Sequence, residues 1–173
     1  MPAEVLFDIS AIDLNARVAD REAIARTNPH RGLMALLDGI IWHDAPLDQG
    51  VAISHARPDA FWAPGHIPGR PIMPGVLMIE AGAQLASWMY YQRSGEKSFA
   101  GFTHIDEVAF RGMVVPGDDL VLLVKCIRYN PKRFTSGIQG LVNGQIVFSG
   151  RISGMVFPSA EAAKPVGAGR SAS

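Results

Sequence analysis

The chain has 173 residues, of which 48% are apolar and only 18% charged, and its 16 basic and 16 acidic residues cancel. That length suits a single domain that buries its own core, and the composition excludes a disordered chain, a disulfide-stapled one and a generally basic nucleic-acid binder. The lone Cys126 excludes a zinc site built from cysteines and fits a reducing compartment; Met1 to Ser10 carry no basic stretch followed by an apolar run, so no secretory signal is read and a cytoplasmic location is expected.

Residues 1–19 are weakly patterned and are read as an N-terminal arm. Asp20 to Arg26 reads as one or two helical turns, with Asp20 as the N-cap and Asn28-Pro29 as the stop. Strands are expected over Leu36 to His43 and Gly50 to His55, with the turn between them at Asp44 to Gly50. The segment from Pro58 to Pro74 holds five of the twelve prolines and is expected to be irregular; so long a loop inside a compact domain is usually functional. The longest apolar run, Gly75 to Tyr91, follows it. Four more strands are expected at Phe99 to Phe110, Leu120 to Arg128, Arg133 to Val142 and Gln145 to Phe157, with Asn143-Gly144 as a two-residue hairpin turn between the last two. Residues 158–173 read as a disordered tail, leaving one domain over residues 20–157.

The apolar run is too short for a membrane span and carries a carboxylate. It is expected to be a helix buried on nearly all sides, whose polar residues Glu80, Gln84, Ser87 and Tyr91 fall on one narrow stripe. One long helix among about six strands implies an α+β fold, an antiparallel sheet curled around that helix.

A carboxylate on a buried helix is costly unless it is paired. Glu80 is therefore either a structural carboxylate held by Gln84 or a partner across the core, or a functional acid. The segment before it favours function. Gly65-His66-Ile67-Pro68-Gly69-Arg70-Pro71-Ile72-Met73-Pro74-Gly75 feeds straight into the helix and supplies a base that titrates near neutrality, His66, and an unobstructed backbone N–H at the positive end of the helix, Gly75. Alone, His66 reads as an ordinary loop histidine. Together with Gly75 and Glu80 it fits proton abstraction next to a carbonyl with loss of a leaving group. Desolvation is expected to raise the Glu80 carboxyl so that it stands protonated as a general acid. No nucleophile elbow, phosphate loop or dinucleotide fingerprint is present.

The stretch from Gly65 through Gly75-Val76-Leu77-Met78-Ile79-Glu80-Ala81-Gly82-Ala83-Gln84 closely resembles the signature of FabZ-type 3-hydroxyacyl-(acyl-carrier-protein) dehydratases of the FabA/FabZ family. Pro29-His30-Arg31, Phe99-Ala100-Gly101, Ile105-Asp106-Glu107, Phe110-Arg111 and Val115-Pro116-Gly117-Asp118 are similar to the same family. The resemblance implies a hot-dog fold and the dehydration of (3R)-3-hydroxyacyl-carrier-protein to the trans-2-enoyl thioester in fatty-acid or lipid synthesis. It implies His66 as the base at C2, Glu80 as the acid at the 3-hydroxyl, and the Gly75 amide on the thioester carbonyl. Gln84 and Pro74 are implied as supporting residues. It also implies no metal or organic cofactor, a phosphopantetheine-linked substrate on acyl carrier protein, and a homodimer or trimer of dimers in which histidine and acid come from different subunits. Another acyl-thioester role on this fold is the alternative: enoyl-CoA hydration, thioester hydrolysis, or sensing without catalysis.

Three departures stand out: Ile67 in place of the usual phenylalanine, Gly32-Leu33 in place of an aromatic-proline pair, and Phe102-Thr103-His104 as extra sequence. His104 therefore marks either a local insertion or a shifted strand. The neutral total also hides an asymmetry. Residues 1–120 contain 15 acids and 9 bases, whereas residues 121–160 contain five bases and no acid. Arg128, Lys132 and Arg133 are read either as a charge-protected strand edge or as a docking surface for an acidic carrier protein.

Overall fold

The apolar run does build one long helix, here α2 (Gly75–Ser94), in a computed structural model that describes residues 4–95 and 98–157. Pro74 stands at its N-cap and Gly95, in the left-handed region at φ 64°, closes it with an N–H bond to the Tyr91 carbonyl at 2.9 Å. Only a residue without a Cβ takes that backbone without strain. From Met78 to Tyr91 every residue is buried except Glu80, which is half-buried.

Among the described residues the remaining elements, in order, are β1 (Ala19–Asp20), α1 (Arg21–Thr27), a single 3-10 turn (Gly32–Met34), β2 (Gly39–His43), β3 (Gln49–His55), β4 (Ala100–Phe110), β5 (Asp119–Asn130), β6 (Arg133–Val142) and β7 (Gln145–Val156). All strands join one antiparallel sheet in the order β1-β2-β3-β5-β6-β7-β4. This is the expected α+β hot-dog arrangement with seven strands rather than six. The additional strand, β1, has two residues, pairing Ala19 with Ile40 and Asp20 with Gly39, too few to leave an alternating pattern. Asp20 caps α1 as expected, its carboxylate accepting from the Ala23 N–H at 2.8 Å. Asn143 and Gly144 both have positive φ, 49° and 75°, the backbone that a two-residue hairpin of this hand requires. The expected tail, residues 158–173, lies outside the described residues.

The sheet curls around α2 through close approaches. A Cβ at Gly50 would collide with the Met89 sulfur, and one at Gly82 would lie 3.3 Å from Ile138 of β6. Leu85, Trp88 and Met89 fill the space between helix and sheet; burying each such side chain contributes about 1.5–3 kcal/mol. On the other side of the sheet a second cluster, Ile41, Val51, Ile53, Leu123 and Leu141, is covered by Leu6, Phe7, Ile9 and Ile12 of the arm. The arm is hydrogen-bonded there by Gln139, whose Oε1 accepts from the Leu6 N–H at 3.1 Å and whose Nε2 donates to the Glu4 carbonyl at 3.0 Å.

Asp38 ties α1, the end of β3 and the start of the proline-rich loop together. It accepts from Arg21 (2.8 Å), Arg57 (2.6 Å) and the His55 N–H (2.7 Å). Burial pushes its carboxyl up, but the hydrogen bonds from Arg57, His55 and Arg21 outweigh it and hold the group below the usual carboxylate range. A carboxylate whose native pKa is depressed stabilises the fold above its unfolded pKa, and that contribution is lost as pH falls through the native value. Asp38→Asn is accordingly expected to destabilise the protein at pH 7, with the gap to the parent shrinking below pH about 4. Urea unfolding of both proteins across that range checks it.

Candidate active site

Pro58 to Pro74 forms a chain of turns with no strand or helix. One backbone hydrogen bond folds it on itself and another ties its C-terminal end to the segment before β5. The His66 N–H donates to the carbonyl of the buried Trp62 at 2.9 Å, and the Met73 N–H donates to Val114 at 2.8 Å. His66 itself is exposed, with Nδ1 2.7 Å from the Ile72 carbonyl. A carbonyl only accepts, so Nδ1 carries the hydrogen and Nε2 is the ring nitrogen left for other partners. Beside this loop a cavity of about 200 Å³ is walled by Leu36, Phe61, Trp62 and Met73, with Gly32 and Leu33, the substituted pair, in its lining.

Gly75 opens α2, and the Pro74 carbonyl accepts from Leu77 at 2.9 Å. The first backbone N–H groups of a helix have no intrahelical acceptor and sit at the positive end of its dipole. A Cβ at Gly75 would lie 2.6 Å from the Phe110 ring, so the last residue of β4 closes against the helix start.

Glu80 lies five residues further on. Its Oε1 accepts from Gln84 Nε2 at 2.9 Å and faces His30 Nε2 at 3.3 Å. Gln84 is buried and fully used: Nε2 also donates to the Met34 carbonyl at 2.8 Å, and Oε1 accepts from the Leu36 N–H at 3.0 Å. The glutamine thus fixes the carboxylate to the segment before β2. His30 was visible in the sequence only as part of Pro29-His30-Arg31; its contact with the acid crosses 50 positions. Its Nδ1 is buried without a hydrogen-bond partner.

The expectation that Glu80 stands protonated is corrected. Burial pushes its carboxyl up, but hydrogen bonds from His30 and Gln84 and the charge of His30 together bring it below the usual carboxylate range. Two N–H donors aimed at one oxygen favour the anion and outweigh the opposing effect of partial burial. Within one chain the structure brings Glu80, Gln84 and His30 together. His66 makes no hydrogen bond or ion pair with Glu80.

The basic residues occupy the hairpin that joins β5 and β6. Lys132 sits exposed at its turn, where Asn130 Oδ1 accepts from the Lys132 and Arg133 N–H groups at 2.9 Å. Arg128 and Arg133 line one cavity with His104. Around His104 the register of β4 against β7 shifts between Phe102 and His104, so Thr103 is absorbed as a bulge. Among the described residues no group of three or more His, Cys, Asp or Glu is placed to hold a metal ion, and no helix is long and apolar enough to cross a membrane.

A family model described as a FabA-like domain matches residues 28–151. Among solved structures, the dehydratase heterocomplex ApeI:P from Xenorhabdus doucetiae is similar at TM-score 0.67 and 18% identity, over 80% of this chain and 93% of that one. A mutant thioesterase from Pseudomonas aeruginosa is similar at TM-score 0.62 and 12% identity, over 84% and 99%. A hypothetical thioesterase with coenzyme A from Streptococcus pneumoniae is similar at TM-score 0.54 and 8% identity, over 68% and 84%. These likenesses share the fold across dehydratases and thioesterases alike.

Proposed function

The chain belongs to the family of FabA-like domains, and from that membership we propose that it dehydrates 3-hydroxyacyl thioesters carried on acyl carrier protein. The observation that carries this reading is Glu80: a half-buried carboxylate oriented by Gln84 on a helix that opens with Gly75, directly after the loop bearing His66.

The reaction removes a hydrogen from C2 and the hydroxyl from C3, forming the C2–C3 double bond and releasing water. His66 Nε2 takes the C2 proton. The Gly75 N–H donates to the thioester oxygen as negative charge builds there. Glu80 gives a proton to the departing hydroxyl, and the proton on His66 afterwards restores it. An acid that is ionised in the free chain must gain its proton on binding. An acyl chain that strips water from the carboxyl acts in that direction, because burial is already the largest influence on it. Acid–base help of this kind contributes about 10²–10⁴ in rate and one oxyanion donor about 10²–10³. None of these steps draws on a metal or organic cofactor.

Two features support a dimer as the active unit. His66 and Glu80 do not meet within one chain, and β4, the last strand of the sheet, leaves an edge of 11 residues bearing exposed Phe102, Ile105 and Phe110. An apolar edge of that length calls for a partner strand. The dimer we propose pairs two β4 edges and shares each site between the His66 of one copy and the Glu80 of the other.

Incubation with a 3-hydroxyacyl thioester is expected to give the trans-2-enoyl thioester, reversibly and without free thiol. Thiol release would assign hydrolysis instead, and binding without conversion would assign a sensor. Lys132, exposed on the basic hairpin, fits an acidic carrier protein. Lys132→Glu is expected to lower carrier-linked turnover several-fold more than CoA-linked turnover; equal loss on both would reject carrier docking there.

A further inference from the structure

The dehydration steps above leave one titratable side chain of the site without a task. His30 is half-buried, with Nε2 3.3 Å from Glu80 Oε1. Its segment is held to α2 on both sides of it. Before it, the buried Asn28 donates Nδ2 to the Gln84 carbonyl at 2.8 Å. After it, the Gln84 side chain bonds the Met34 carbonyl and the Leu36 N–H. Residues four apart share a helix face, so a segment clamped at Gln84 carries His30 over Glu80.

This contact exceeds what orienting the acid requires. Gln84 already aims Oε1 with a hydrogen bond of 2.9 Å, and an amide has no proton to exchange. His30 ends at the same oxygen and does titrate near neutrality. Its neighbour Arg31 is engaged elsewhere, donating to the Ala25, Asn28 and His30 carbonyls at 2.6, 2.7 and 2.7 Å. Among the described residues Glu80 is the carboxylate that His30 faces. Two influences oppose each other on the ring. The carboxylate favours the imidazolium. The surroundings of Nδ1 disfavour it, because that nitrogen is buried without a hydrogen-bond partner, and an unsatisfied N–H costs more on a cation than on a neutral ring. A pair balanced in this way holds one proton, and a modest change of surroundings decides which member carries it.

We propose that His30 is a positioning residue that loads Glu80 with the proton it gives to the departing hydroxyl, a role that rests on the dehydratase reading above. An acyl chain that displaces water from the site removes solvation from the ion pair and favours the neutral pair. The N–H bond at His30 Nε2 breaks and an O–H bond forms at Glu80 Oε1. The last torsion of a glutamate is broad and two-fold, so the carboxyl turns that O–H toward the hydroxyl, which leaves as water. The C2 proton, held meanwhile on His66, returns to the pair through solvent. Protons balance over the cycle and no electrons are exchanged with any other group. In this way a carboxyl held ionised in the free chain serves as the acid in the complex.

His30→Gln keeps an N–H donor for the carboxylate but has no proton to pass on. Its kcat at about pH 8 is expected to fall at least about tenfold while KM stays within about twofold. The loss is expected to shrink as pH falls, because the descending limb of the kcat profile, where the acid loses its proton, moves to lower pH. An unchanged profile, or the same loss at every pH, would overturn the relay; the second result would leave His30 a purely structural role. Imidazole 15N NMR of the unmodified chain reads the proton directly, whether or not the variant folds. The probe is a saturated acyl-coenzyme A, which has no hydroxyl to lose. On binding, His30 Nε2 is expected to change from a protonated to a lone-pair signature while Nδ1 keeps its hydrogen. A ring whose two nitrogens do not change on binding would overturn the relay. Failure of the probe to bind, or a parent chain that converts no 3-hydroxyacyl thioester, would instead overturn the reading on which the relay rests.

Discussion

Glu80→Gln is expected to reduce turnover of a 3-hydroxyacyl thioester by about 10²–10⁴ while the protein remains folded, and His66→Ala to do the same. The amide keeps the shape of the acid and its contact with Gln84, so the loss isolates proton transfer rather than packing. The two variants carry a further expectation if the site spans two chains. Mixing inactive His66→Ala with inactive Glu80→Gln and allowing subunits to exchange restores activity, because half of the sites in a mixed dimer pair an intact histidine with an intact acid. Full activity in either single variant would sink the assignment. No recovery on proven exchange would confine each site to one chain. Stability changes differently: the fold holds the Glu80 carboxyl below its usual range, so Glu80→Gln costs stability at neutral pH. That cost fades as pH falls through the lowered native value.

Gln84→Ala is expected to give the largest loss of stability among site variants. Gln84 is 2% exposed and its side chain makes three hydrogen bonds, to Met34, Leu36 and Glu80. Truncation opens a cavity between the helix and the segment before β2 and leaves a backbone N–H and carbonyl without their partner. The combined cost is roughly 2–4 kcal/mol, which for a domain of this size lowers Tm by roughly 4–16 °C. Activity falls as well, since the carboxylate loses the group that orients it. Thermal unfolding by circular dichroism checks the first expectation, and an unchanged Tm would show that the glutamine is not part of the core.

Much of this was legible locally. The run from Gly75 to Tyr91 exceeds any strand, its polar residues fall on one stripe, and its flanking Pro74 and Gly95 mark its ends. Asn143-Gly144 specifies its turn through backbone angles that few other pairs adopt. What stayed hidden depends on distance along the chain. β1 is fixed by its pairing with Ile40 and Gly39 rather than by its two residues. His30 reaches Glu80 only because the segment after α1 packs against α2, and no spacing in the sequence announces that contact. The ionisation of Glu80 followed the same rule. The sequence shows that the helix is apolar, but whether donors or desolvation prevail depends on His30 and Gln84 converging on one oxygen. His104 illustrates the intermediate case: the additional residues were visible, and the register of β4 against β7 decides between a bulge and a slipped strand.

The arm also has a consequence for the order in which the molecule is completed. Its hydrogen bonds to Gln139 join residues 133 and 135 positions apart, and the apolar face it covers includes Leu123 and Leu141. On a chain emerging from its N-terminus, residues 4–12 exist long before β5 and β6 do. Contacts so distant carry a large loop-closure cost and form once the strands that receive them are in place. A segment synthesised well before its partners is therefore among the last to dock. Until it does, the growing sheet carries a bare apolar face, and the interval before β6 is finished is the stage at which this protein has most need of protection from aggregation.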